Sequence, residues 1–159
     1  MFKRKVQWPE GKQFAFTIVD DTDNATVGKI KPIYDLLKQL DFKTTKTVWT
    51  LPIRGDETHY RFTETLEDEN YRNFILDLQS SGFEIAMHGI RGTSSERDQV
   101  IQGIEKYKDI IGSYPSIHIN HARNKDNLYW GLERLHKWQL KLKRYAGDGT
   151  AGYGHKENQ

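Results

Sequence analysis

Two aspartates stand directly after an apolar run in Phe14-Ala-Phe-Thr-Ile-Val-Asp-Asp-Thr-Asp23, and a histidine closes a second run, Phe83-Glu-Ile-Ala-Met-His88. A third short run, Ser116-Ile-His-Ile-Asn120, is followed at once by His121. A carboxylate and an imidazole, Asp21 and His88, converging on one mouth are ligand types for a divalent cation such as Zn²⁺. A second carboxylate beside them suits the work of a general base on a water molecule. Asp20 and Asp21 are adjacent, so within a strand their side chains project to opposite faces and suit separate roles. The same residues also have plainer uses. Aspartates after a strand serve turns and helix N-caps, with Asn24 and Thr26 close by for the same purpose, and a strand-end histidine is often a hydrogen-bonded structural residue. His59, His136 and His155 read as surface residues, and Trp49, Trp130 and Trp138 read first as core.

Positioning such groups requires strands that end together. The chain offers four strand-like runs: Phe14–Val19, Thr44–Thr50, Phe83–His88 and Ser116–Asn120. Between them lie helical stripes with i, i+3, i+4, i+7 spacing. The first is Ile33, Leu36, Leu37 and Leu40; the second is Tyr71, Phe74, Ile75 and Leu78, opened by Thr65 with Asp68 and stopped by Gly82. The third carries Val100, Ile104, Tyr107 and Ile111 between a capping box at Thr93–Glu96 and Gly112, and the fourth carries Leu128, Leu132, Leu135 and Trp138. Strands alternating with helices predict an α/β fold with a mostly parallel sheet. In such folds ligands collect at the carboxyl ends of the strands, where Asp21, His88 and Asn120 stand. Parity supports this: the bulky Phe14, Phe16 and Ile18 lie opposite Asp21, and Phe83, Ile85 and Met87 lie opposite His88. The same parity turns His121 outward.

Composition narrows the function classes. The chain has 159 residues, 36% hydrophobic, 29% charged and 12% aromatic, enough for one domain with a core. A mean hydropathy of −0.80 makes it polar without the signature of disorder. The net charge of +2 is too small to imply nucleic acid, and Lys3–Lys5 and Lys137–Arg144 read as solvated faces. Without cysteine there are no disulfides, thiol nucleophiles or cysteine zinc sites. With no membrane-length apolar run and no secretory leader in the first twelve residues, a cytoplasmic setting is expected. The expected organisation is a lead-in over 1–12, one domain over 13–146 and a loose glycine-containing tail over 147–159. Four βα units make half a barrel or a small sheet with open edges, so a shortened chain or the subunit of a homo-oligomer is expected.

The first segment resembles the opening motif of NodB-type polysaccharide deacetylases, a strand followed by Thr-Phe-Asp-Asp-Gly, and Gly82-Phe-Glu-Ile-Ala-Met-His88 resembles their second motif, in which Gly-His-Glu-Ile precedes a His-Ser/Thr-x-x-His. The match spans roughly residues 13 to 125. The resemblance implies an α/β fold of the distorted, parallel-stranded (β/α) barrel type, here incomplete. It also implies metal-dependent removal of acetyl groups from a carbohydrate, with Zn²⁺ as the expected cofactor. Carried over by position, Asp20 is the general base and Asp21 and His88 are metal ligands. The motif's second histidine falls at Gly92, so the remaining ligand is sought in His121, Asn120 or Asp23, of which His121 is chemically the best donor. Asn120, Arg91 and Trp49 are the candidates for substrate contact. The family's Arg-Pro loop is echoed in Asn120-His-Ala-Arg-Asn124, and its late catalytic histidine has no counterpart.

Other readings of the same residues are a deacetylase-like domain that binds carbohydrate or acts as a scaffold without turnover, and a nucleotide-sugar transferase using Asp21-Thr22-Asp23 as a DxD. A haloacid dehalogenase-type phosphatase also begins with a strand and DxD, but its threonine belongs where Ala25 stands. Metal affinity separates the first of these from the enzyme.

Overall fold

The computed structural model describes residues 7–53 and 60–121. The expected helix from 124 onward and the tail lie outside the described residues, as do Trp130, Trp138, His59, His136 and His155. Three parallel strands, β1 (Val19–Asp20), β2 (Thr45–Val48) and β3 (Glu84–Met87), lie in the order β1-β2-β3. They alternate with three helices, α1 (Val27–Gln39), α2 (Glu69–Ser80) and α3 (Arg97–Ile111). Register is set by Val19 opposite Thr45 and Thr45 opposite Glu84, which brings Asp20 alongside Lys46. The expected fourth strand is a single parallel bridge between Met87 and His118, closed by Met87 N–H to the Ile117 carbonyl (3.2 Å) and Ile119 N–H to the Met87 carbonyl (2.8 Å). The fold is therefore α/β with an open parallel sheet among the described residues.

Each helix is cut to length by its own chemistry. The Thr26 hydroxyl accepts from the Lys29 N–H and starts α1. Glu96 and Gln99 form a reciprocal capping box on α3, one turn later than the sequence suggested. Gly112, at φ +90°, ends that helix in the left-handed conformation that glycine takes without steric cost.

The core lies between the helices and one face of the sheet. Leu66, Ile75 and Leu78 are fully buried, each contributing about 1.5–3 kcal/mol through removal of apolar surface from water. The Tyr34 ring meets Phe74 and Phe83 edge-on at centroid distances of 6.0 and 5.2 Å, tying α1 to α2 and to the start of β3. Tyr107 reaches from α3 to donate to the Ile85 carbonyl at 2.7 Å. Burial and the nearby Glu84 charge push its phenol up to about 12.

Two expectations about the first βα unit are corrected. The buried residues of α1 are Ile30 and Tyr34, with Leu37 packed beside them, while Ile33, Leu36 and Leu40 are exposed. The helix is turned because Tyr34 carries a hydroxyl that reaches the carboxylate of Asp20 at 2.8 Å. The run expected as a strand from Phe14 pairs only near its acidic end, and Phe14 and Phe16 stay exposed rather than under a helix. No described helix is long and apolar enough to cross a membrane.

Candidate metal centre

The acidic loop after β1 is held by its neighbours on several sides. Thr22 points inward and is fully buried, its hydroxyl 3.3 Å from that of Tyr71. Asn24 takes a left-handed φ of +58°, and its N–H donates to the Thr63 hydroxyl at 2.9 Å. The Asp23 N–H donates back to Asp21 Oδ1 at 3.2 Å. Glu64 then accepts from the Val27 N–H at 2.6 Å, and its own N–H donates to the Ala25 carbonyl. Turning Thr22 inward leaves Asp21 and Asp23 facing the carboxyl end of β3.

His88 is positioned as the residue that follows β3, with its N–H donating to the Val48 carbonyl at 3.1 Å. His121 arrives from beyond the last bonded residue of the fourth run, Ile119. Ladder parity ceases there, and this is why His121 turns inward to 1% exposure. The two imidazoles meet edge to face with centroids 5.1 Å apart.

Both histidines direct Nε2 to the same carboxylate oxygen. Asp23 Oδ1 lies 3.3 Å from His121 Nε2 and 3.9 Å from His88 Nε2. That oxygen is buried and accepts no hydrogen bond, while Asp23 Oδ2 lies 3.3 Å from His121 Nε2. Asp21 Oδ1 is 3.2 Å from His88 Nε2, and its side chain is 61% exposed, at the mouth of the site. Asp23, His88 and His121 each offer a ligand atom within 4.8 Å of the others. One carboxylate and two imidazoles form a donor set suited to zinc.

The electrostatics favour deprotonated ligands. Burial acts to raise the Asp23 carboxyl, but the hydrogen bond and charge of His121, the charge of His88 and the Tyr60 hydroxyl outweigh it and hold the group below the ordinary carboxylate value. Burial, aided by the charge of His121, pushes the His88 imidazole down, against the opposing charges of Asp21 and Asp23 and a contact with the Ile119 backbone. A neutral imidazole and an ionised carboxylate are the forms that bind a cation.

The structure separates Asp20 from this group. Its carboxylate lines an apolar cavity of about 190 Å³ with Ile18, Ile30, Ile33, Tyr34, Leu37 and Thr44, on the helix side of β1. There Oδ2 is engaged by both Tyr34 and Lys46. Trp49 is fully buried, so its ring reaches His121 (5.5 Å) and Tyr60 (5.5 Å) edge-on rather than the solvent. Arg91 is also buried, in the turn after β3, and Asn120 is half-buried. At Gly92 an added Cβ would lie 2.5 Å from the Trp49 ring, so the indole occupies the space a side chain there would need.

Lys46, Tyr34 and Tyr60 escaped the sequence reading. A lysine amid the β-branched run Thr44–Thr50 was the available signal for the first, whereas Tyr60 lies in an aperiodic loop. No family model, curated protein or solved structure matches the chain.

Proposed function

We propose that Asp23, His88 and His121 bind a divalent cation, zinc by donor chemistry, and that the chain is a metal-dependent hydrolase of acetylated carbohydrate. The observation carrying this reading is the pair of buried imidazoles aimed at one carboxylate oxygen that accepts no hydrogen bond. His121 already pairs with Oδ2 of that carboxylate at 3.3 Å, and the second imidazole, His88, converging on Oδ1 is what a cation shared by all three groups would account for. A bound divalent ion supplies Lewis-acid chemistry, polarising an acyl carbonyl and easing proton loss from water.

The protein's own groups divide the remaining work. Asp21, exposed beside His88, is the carboxylate placed to accept a proton from water at the mouth. Asp20, expected from the resemblance as the base, is engaged by Lys46 and Tyr34 and supports the loop. Trp49 and Tyr60 wall His121 and fix its ring plane. The acetyl-carbohydrate substrate is proposed from the resemblance of the two motifs to polysaccharide deacetylases, and with it the view of the open sheet as part of a (β/α) barrel.

The test is acetate release from N-acetylglucosamine oligomers and from an O-acetylated xylan by the zinc-loaded chain. Release by the wild type and its loss, at least 100-fold, in His88→Gln is expected. Zinc uptake without release from either substrate would overturn the acetyl-carbohydrate hydrolase reading and leave only the metal site.

A further inference from the structure

Lys46 is the least expected residue in the sheet. It sits in the middle of β2 with a side chain that is 0% exposed. Burying an ammonium costs several kcal/mol unless it is paired and hydrogen-bonded, and a strand position in a core is ordinarily filled by an apolar residue. Here the ammonium is engaged twice at the point where β1 becomes the acidic loop. Nζ lies 2.9 Å from Asp20 Oδ2 and donates to the Asp21 carbonyl at 2.9 Å. The Tyr34 hydroxyl donates to the same Asp20 oxygen at 2.8 Å, and the Thr47 hydroxyl donates to the Asp20 carbonyl at 2.9 Å.

We propose that Lys46, acting with Asp20, is a positioning residue for the metal centre: it fixes the Asp20–Asp21 backbone so that the Asp21 and Asp23 carboxylates face the two histidines. The proposal rests on the metal reading above and adds the device that makes the site rigid. Two bonds from one ammonium, to a side chain and to the next carbonyl, set the direction in which the loop leaves the strand. Asp23 lies two residues further on, with its N–H on Asp21 Oδ1, so a change in that direction moves its carboxylate. The ammonium also offsets the mutual repulsion of three carboxylates within four residues. Metal sites commonly depend on such supporting contacts as much as on the ligands.

The experiment is a titration of the full chain with zinc, and separately with cobalt(II), in the wild type, Lys46→Met, Asp20→Asn and the double variant, alongside the thermal melting of each metal-free protein. Lys46→Met is expected to fold and to lose zinc affinity at least tenfold, with an altered cobalt visible spectrum. Asp20→Asn should weaken zinc at least threefold, and the double variant should be no weaker than Lys46→Met, because the two residues act as one unit. A folded Lys46→Met with zinc affinity within twofold of wild type and an unchanged cobalt spectrum would overturn the proposal. If Lys46→Met fails to fold, Asp20→Asn decides by the same criteria. Absence of zinc uptake by the wild type sinks the metal reading itself and this inference with it. That outcome is distinct from a wild type that binds zinc and variants that bind it equally well.

Discussion

At the residue scale, the central feature is the concentration of titratable groups at one mouth with opposed preferences. Asp23 is held ionised and His88 is held neutral, and both conditions are weakened by acid. For His88 the folded pKa lies below the unfolded value, so the unfolded chain binds the proton more readily as pH falls through the histidine range. Stability is therefore full above the unfolded value, about 6.5 for histidine, and declines as pH drops below it. Asp23 adds a second loss below the unfolded carboxylate value, since its folded pKa is depressed. Urea unfolding of the metal-free protein is expected to show a midpoint that falls between pH 7.5 and 5.5, and His88→Gln should flatten that dependence. A wild-type midpoint independent of pH over this range would contradict the assignment of a buried neutral His88. His88 was legible in the sequence because a strand ends on it. His121 was legible by chemical type, but alternation pointed it outward, since nothing in the residues says that the ladder stops at Ile119. Parity separated Asp21 from Asp20 in the sequence, but the engagement of Asp20 could not be read there, because it depends on a lysine brought alongside by strand register.

At the element scale, the site is set by how closely strands, turns and helices approach. The α3 helix comes near the turn after β3 through Gly103, where an added Cβ would meet the Ile90 side chain at 2.4 Å. Gly103→Ala is expected to cost about 1–3 kcal/mol through overpacking, measured by urea unfolding, with zinc affinity retained. Gly92→Ala should behave differently. Its new methyl displaces the Trp49 ring that packs on His121, so zinc affinity should fall as well as stability. Equal zinc affinity in Gly92→Ala and wild type would remove Trp49 as a support of the ligand. The stripe of α2 was readable because Tyr71, Ile75 and Leu78 face the core as spaced. That of α1 was misread: both Ile33 and Tyr34 continue a plausible helical stripe, and the choice is made by a hydrogen bond from Tyr34 to Asp20 that hydrophobic periodicity does not encode.

At the scale of the whole molecule, the described residues form an α/β unit whose sheet ends at β1 on one side and at the 117–119 bridge on the other. Alternating apolar runs and helical stripes made that class readable, and the order β1-β2-β3 follows from crossovers that place each new strand beside the last. Extent was less readable, because a strand such as the expected Phe14–Val19 needs a neighbour to pair with as well as β-forming residues, and only its acidic end has one in β2. The consequence of the architecture is that three separate loops, after β1, after β3 and after the bridge, bring Asp23, His88 and His121 to a single point, each with one candidate ligand atom. Zinc affinity by calorimetry of the full chain, in wild type and Asp23→Asn, tests that convergence most directly. One zinc per chain, with affinity at least 100-fold weaker in a folded Asp23→Asn, is the predicted result; no zinc uptake by the wild type, or equal uptake by both proteins, would contradict it.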